Sequence, residues 1–166
     1  MTAPGTLRRL AGGRVEIRFE RRFAHPPAKV WRALTDAGEL RGWRFPAVVE
    51  LDLTPGAALE FWPTDEQRER FGVPATPVAG RMIAADPPRL LEYTWGTETL
   101  RWELNPDADG CRLVFVNTID DDGAGPAVAA GWHAGLELLE AALGGRPIDW
   151  DTWQRAADLQ KSYEET

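Results

Sequence analysis

The chain of 166 residues contains one cysteine and two histidines. The single cysteine, Cys111, excludes an internal disulfide and a cysteine metal cluster. No apolar run approaches the roughly 20 residues that a membrane-spanning helix requires. Residues 1–13 lack the apolar stretch of a signal peptide. We therefore expect a cytoplasmic protein that does not insert into a membrane.

Basic residues are fewer than acidic ones. The chain carries 19 Lys and Arg against 26 Asp and Glu, which gives a net charge of −7. A nucleic-acid-binding protein needs a basic face to neutralise phosphates, so we exclude that class of partner. The length, with 43% hydrophobic and 27% charged residues, is typical of one globular domain.

Familiar catalytic motifs are missing as well. The sequence has no G-x-S-x-G elbow, no phosphate-binding glycine loop and no dinucleotide fingerprint, so we predict no catalytic residue and no cofactor. Cys111 has no predicted base beside it and is expected to be a small buried side chain. His133 and Glu137 lie one helical turn apart, but a structural zinc takes four ligands. We predict no metal site and expect His133 at a rim or on the surface.

Alternating apolar and polar residues predict strands along much of the chain. The first begins at Arg14 and places Val15, Ile17 and Phe19 on one face. The others are predicted at residues 49–53, 57–62, 78–85, 91–95, 100–104 and 111–119. Residues 1–13 and 63–77 are predicted to be irregular, as a leader and a long loop. Strands at such short spacing are typical of an antiparallel meander.

Helical spacing appears in three places. Two short helices are predicted between residues 26 and 43, with Leu40 and Trp43 facing inward. A long helix is predicted over residues 126–143, and Asp120, Asp121 and Asp122 are expected to cap it. A further helix is predicted to begin near Asp151. The order of elements predicts an α+β "helix grip", a curved antiparallel sheet of about six to seven strands wrapped around the long C-terminal helix. We assign residues 14–145 to this domain and 146–166 to a helical tail.

Several segments are also familiar. They are FAHPPAKVWRALT at 23–35, DPPRL at 86–90, YTWG at 93–96, LRWEL at 100–104, GCRL at 110–113 and AGWH at 130–133. In order and spacing the chain resembles, over residues 14–144, the AHSA-type branch (activator of heat-shock chaperone ATPase homologue) of the START-like, or SRPBCC, superfamily. The resemblance implies a hydrophobic cavity between sheet and long helix. Some members bind lipids or polyketide-like molecules, and a few catalyse cyclisation or hydrolysis.

A ligand site is expected where the long helix faces the sheet. Gly131 and Gly135 lie one turn apart in that helix, and a glycine there costs about 1 kcal/mol relative to alanine. They either make room for a ligand or let the helix approach bulky tryptophans. Asn117 either orients a ligand or satisfies a neighbouring backbone group. The predicted ligand-binding residues are Trp43, Phe61, Tyr93, Trp95, Trp102, Phe115, Asn117, Trp132 and Gly135.

Three functions follow as hypotheses. The first is non-enzymatic binding of a small hydrophobic or lipid-like molecule. The second is an enzyme of cyclase or hydrolase type that uses the same cavity, with Glu60 or Glu98 transferring a proton. The third is a chaperone co-factor or protein-interaction module. In the tail, Trp150, Trp153 and Tyr163 either form a homodimer contact or fold back onto their own domain.

Overall fold

The sheet and helices are described over residues 2–165 in a computed structural model. Within that range seven strands are present: β1 Thr6–Leu10, β2 Arg14–Phe23, β3 Ala58–Phe61, β4 Val78–Asp86, β5 Leu90–Trp95, β6 Glu98–Asp107 and β7 Gly110–Asp120. The helices of the same range are α1 Pro27–Thr35, α2 Ala37–Gly42, α3 Asp65–Phe71, α4 Gly125–Leu143 and α5 Thr152–Glu164.

All seven strands of the described range join one antiparallel sheet, in the order β1-β2-β7-β6-β5-β4-β3. Strands β3 to β7 form a meander, and β2 closes it by pairing with β7, where Phe19 lies opposite Phe115. The period-two alternation of β2 buries Val15 and Ile17 against the long helix α4. The predicted α+β helix-grip architecture is confirmed.

Three local predictions are wrong. Residues 6–10 are not a loose leader, because they pair with β2 as an edge strand whose arginines are exposed. The segment 63–77 contains α3, which begins at a capping box between Thr64 and Gln67. Residues 49–53 form no strand. Only Val48 bridges to Trp62, while the following residues pack on the core without ladder hydrogen bonds.

The aspartates before α4 do not cap it. Ala124 occupies the cap position and no side chain caps the helix there. Asp120 accepts a hydrogen bond from Arg14 at 2.6 Å, and Asp121 pairs with Arg9. Asp122 accepts from the Ala124 amide at 3.0 Å, which shapes the turn before the helix. The carboxylates therefore serve the strand end and the turn.

Helix α5 packs against α4 of its own domain. Leu159 and Tyr163 are buried there, and the Tyr163 hydroxyl accepts a hydrogen bond from the Gly5 amide at 2.7 Å. The tail residue Tyr163 thus folds back, whereas Trp153 stays half-exposed. The helix joins the two ends of the chain to the same face of α4.

We predict that Leu159→Ala lowers the free energy of unfolding by about 2–4 kcal/mol, because it leaves a cavity between α5 and α4. Lys161→Ala, an exposed change on the same helix, should cost less than about 0.5 kcal/mol. Urea unfolding measures both, and size-exclusion chromatography checks that the oligomeric state is unchanged. Equal losses for the two variants would contradict the packing of α5.

Candidate functional site

A cavity of about 530 Å³ lies on the helix side of the sheet, where Trp95 of β5 and Glu98 of β6 line it. Helix α4 forms one wall with Val128, Gly131, Trp132, Gly135 and Leu138. The other walls come from the sheet, from α2 and the segment after it, and from α3 and α5. The remaining lining residues include Arg41, Arg44, Phe45, Val49, Glu66, Phe71, Trp95, Glu98, Thr152 and Trp153.

The two helix glycines open this space. A Cβ atom built on Gly131 would meet no heavy atom within 4 Å. One built on Gly135 would make ordinary contacts at 3.8 Å with Trp43 and 3.9 Å with Trp132. Close packing of tryptophans therefore does not require either glycine. Both line the cavity, and their missing side chains add to its volume.

An aromatic cluster forms part of the cavity wall. Trp95 stacks on Phe61 with ring centroids 4.5 Å apart and an interplanar angle of 8°. Phe45 packs against Trp95 at 5.7 Å and against Trp132 at 6.0 Å. Trp95, Trp132 and Phe45 reach the cavity, and Phe61 supports them from behind. Flat apolar side chains thus face the space, as a pocket for an apolar molecule requires.

Of the nine predicted ligand-binding residues, Trp95, Trp132 and Gly135 line the cavity. The other six lie in the core behind it: Trp43, Phe61, Tyr93, Trp102, Phe115 and Asn117. Trp102, for example, stacks on Phe115 at 3.9 Å. Strand alternation identifies the inward face correctly, but α4 covers most of that face. Phe45 and Trp153 also line the cavity but are not among the nine, because the segment after α2 and helix α5 reach the cavity through tertiary packing that local periodicity does not report.

Asn117 has a structural role. Its Oδ1 accepts a hydrogen bond from Trp132 Nε1 at 3.0 Å, and its Nδ2 donates to Glu98 Oε1 at 3.2 Å and to the Thr99 carbonyl at 3.1 Å. These bonds satisfy a fully buried amide. Asn117 therefore sets the positions of Trp132 and Glu98, both of which line the cavity.

Glu60 and Glu98, the two carboxylates predicted as candidates for proton transfer, lie in different surroundings. Glu98 lines the cavity, whereas Glu60 is exposed on β3 and does not. Burial raises the pKa of Glu98 above its ordinary value of 4.5, and the hydrogen bond from Asn117 partly opposes this rise. Glu98 is thus an acid in a largely apolar wall.

Helix α3 lines part of the cavity and contacts Trp153 of α5, which also lines it. Glu66 accepts a hydrogen bond from Trp153 Nε1, and Phe71 packs edge-on against the Trp153 ring at 5.2 Å. The Arg70 guanidinium lies 4.6 Å from the same ring. No residue of α3 is buried, and the helix is held by these contacts with Trp153 and by a hydrogen bond from the Gln67 side chain to the segment after α2.

His133 is not at a rim or on the surface, contrary to the prediction. It is 2% exposed, and from α4 it packs against Phe19 of β2 and Tyr163 of α5. Its Nδ1 lies 2.7 Å from the Tyr163 hydroxyl, and its Nε2 lies 2.7 Å from Thr2 Oγ1. Thr2 Oγ1 donates to Glu137, which also forms an ion pair with Arg155. The face of α4 that carries His133 and Glu137 looks polar in the sequence, but the two terminal segments of the chain cover it.

The surroundings of His133 favour its neutral form. Burial lowers its pKa from 6.5 to about 4, and the nearby Arg21 adds to this effect. Glu137 acts in the opposite direction, but Arg155 counters it. The neutral imidazole joins Tyr163 and Thr2 without taking part in the cavity.

No group of three or more His, Cys, Asp or Glu within residues 2–165 could hold a metal ion. Cys111 is buried, as predicted. In the same range no helix has the length and apolar character needed to cross a bilayer.

A curved antiparallel sheet that grips a long helix defines the START-like, or SRPBCC-type, class. The chain belongs to the family described as activator of Hsp90 ATPase homolog 1-like protein, whose model matches residues 24–144. Among curated proteins the chain has no match.

Solved structures share the whole fold. The protein encoded by BPP1335 of Bordetella parapertussis is 30% identical, with a TM-score of 0.74 over 99% of this chain and 95% of that one. EF2215 of Enterococcus faecalis, described as a conserved protein of unknown function, is 19% identical with a TM-score of 0.74 over 97% and 91%. CalU16 of Micromonospora echinospora is 18% identical with a TM-score of 0.69 over 97% and 94%.

We predict that His133 makes stability depend on pH between about 6.5 and 4. In that window the unfolded chain binds a proton that the native state does not, so stability falls as pH falls. The loss from this group is about 3 kcal/mol at most, from 1.36 kcal/mol per pKa unit. His133→Gln should lack this component.

Urea unfolding of both proteins at several pH values between 7.5 and 4.5 checks the prediction. The other titrating groups remain in the variant, so the difference between the two curves isolates His133. Two parallel curves would show that His133 titrates alike in the folded and unfolded states.

Proposed function

We propose that the protein is a non-enzymatic binding protein that holds a small, largely apolar, lipid-like or aromatic molecule in the cavity between α4 and the sheet. One observation carries the proposal: the cavity of about 530 Å³ is lined by Trp95, Trp132 and Phe45 and widened by Gly131. That volume falls within the range of pockets that take small molecules. The fold class and the family are compatible with such a role.

The cost of the helix glycines supports the same conclusion. Glycine within a helix destabilises it by about 1 kcal/mol relative to alanine. At Gly131 no neighbouring atom would obstruct a larger side chain, so packing does not account for the glycine. Space for a ligand does account for it.

We predict that Gly131→Leu weakens binding of the neutral fluorophore N-phenyl-1-naphthylamine at least tenfold, because the new side chain projects into the cavity. The fold should survive, since leucine favours the helix more than glycine does. Fluorescence titration measures the affinity, and thermal unfolding checks the fold.

Ala127→Leu is the matched control, because it adds a large side chain to an exposed position of the same helix that does not line the cavity. It should bind the fluorophore as the natural protein does. Equal affinity of the Gly131→Leu variant would place the probe elsewhere. Native mass spectrometry of protein purified from its own host tests for a co-purifying molecule and also reports the oligomeric state.

A second candidate function is proton transfer by Glu98. The observation that favours it is a carboxyl group of raised pKa in the cavity wall, held by Asn117 beside Trp132. An acid of this kind can protonate a leaving group or accept a proton from a bound substrate.

We predict that a ¹³C NMR titration places the pKa of Glu98 above 4.5, since burial penalises its charged form. A panel of aryl esters, tested with the natural protein and with Glu98→Gln, then separates the two functions. Turnover that the variant loses would favour the enzyme. A pKa at or below 4.5 would remove the case for Glu98 as an acid.

Three further hypotheses stay predictions: action in the cytoplasm, a chaperone co-factor role, and a homodimer formed through the tail. The first fits a chain whose one cysteine is buried and unpaired. The half-exposed Trp153 contacts α3 of its own chain, and Tyr163 is buried, which reduces the apolar surface available for a tail-to-tail contact.

A further inference from the structure

We infer that the molecule held in the cavity is an amphiphilic anion whose carboxylate or similar end group lies at the mouth, against Arg41 and Arg44. This inference rests on the proposed binding function and adds the chemical class of the ligand. Three observations carry it: the two arginines lack carboxylate partners, the backbone of Arg44 is left-handed, and the carboxylates that line the cavity are engaged elsewhere.

The first observation is that Arg41 and Arg44 have no carboxylate partner among the described side chains. Most arginines of this acidic chain do have one, and nearby Arg32 pairs with Glu39 at 2.6 Å. Both unpaired arginines are exposed and line the cavity. The Arg44 guanidinium lies 3.4 Å from Thr152 Oγ1 on α5, which is a long contact. In a protein of net charge −7, two uncompensated cations at a cavity mouth form a local site for an anion.

The second observation is the backbone of Arg44. Helix α2 ends in a Schellman motif, in which the Arg44 amide donates to the Arg41 carbonyl and the Phe45 amide donates to the Leu40 carbonyl. Arg44 has φ of +63° at the position where glycine is usual. An arginine there is unfavourable for the backbone, and such strain often marks a functional position. The turn brings Arg41, Arg44 and the aromatic ring of Phe45 to the same cavity.

The third observation is where the cavity's own carboxylates lie. Glu98 is tied to Asn117, which bonds Trp132 on α4. The charged side chains that act on Glu98 are Arg14, Asp120 and Asp122, and neither Arg41 nor Arg44 is among them. Glu66, the other carboxylate in the lining, accepts the hydrogen bond from Trp153. An anionic end group is therefore attracted to the arginines, while the apolar body extends toward Trp95 and Trp132.

The test compares ligands that differ only in charge. Dodecanoate is paired with dodecanamide, and 2-naphthoate with 2-naphthamide, and each competes with N-phenyl-1-naphthylamine for the cavity. We expect the anion of at least one pair to bind about tenfold more tightly than its amide, by the strength typical of hydrogen bonds to charged groups. The preference should shrink as salt is raised.

Two variants locate the preference. Arg41→Gln removes one cation, and Arg44→Gly removes the other while relieving the left-handed backbone, so its melting temperature should stay equal or rise. In the double variant each anion should bind no more tightly than its amide. Ala108→Gly is the backbone control, because Ala108 also has a positive φ, of 53°, and lies outside the cavity. Arg68→Gln on α3 is the charge control. Both controls should keep the preference.

The outcomes are distinguishable. Equal affinity for anion and amide in the natural protein would overturn this inference and leave the binding function standing. A preference that persists in the double variant would overturn the assignment to Arg41 and Arg44. If neither the fluorophore nor any of the four competitors binds, the proposed function fails, and the inference fails with it.

Discussion

The hydrogen bond from Trp132 Nε1 to Asn117 Oδ1 ties the long helix to the sheet at one defined point. Most contacts between α4 and the strands are apolar and permit small shifts, but a buried donor and a buried acceptor must meet or both lose their partners. With Trp132 held at this point, Gly131 and Gly135 face the cavity, and Leu136 and Leu139 are buried. The same asparagine holds Glu98 in the cavity wall. The site therefore depends on one polar contact within an apolar interface.

The two chain ends are held by a second buried polar group, on another face of α4. His133 joins the Tyr163 hydroxyl to Thr2, and Glu137 connects Thr2 to Arg155. Since the imidazole is buried, its neutral form is favoured, and the network is satisfied without a net charge on the histidine. Helix α4 thus lines the cavity on one side and holds the two terminal segments on the other. This polar network holds α5, which contributes Thr152, Trp153 and Ala156 to the cavity.

Much of the fold could be predicted because its signals are local. Period-two alternation located β2 and most of the meander, and helical spacing located α4 to within one residue at its start. The capping box of α3 was readable in Thr64 and Gln67, but its polar helix has no apolar stripe to draw attention to it. Strand β1 is short and sits at the sheet edge, where exposed arginines weaken the alternation. The candidate site was harder, because strand alternation identifies the inward face without telling which of its residues the helix covers.

The sequence by itself determined the α+β class, the absence of an internal disulfide and the aromatic character of the interior, since these follow from composition and local periodicity. The family resemblance came from short segments in a characteristic order and spacing. Only the tertiary structure decided that Trp95 and Trp132 face open space while Trp102 and Phe115 fill the core. It also decided that His133 is buried, and that Arg41 and Arg44 share a cavity mouth. The physical reason is the same in each case. Exposure of a side chain depends on which distant segment packs over it, and that packing is a property of the whole chain.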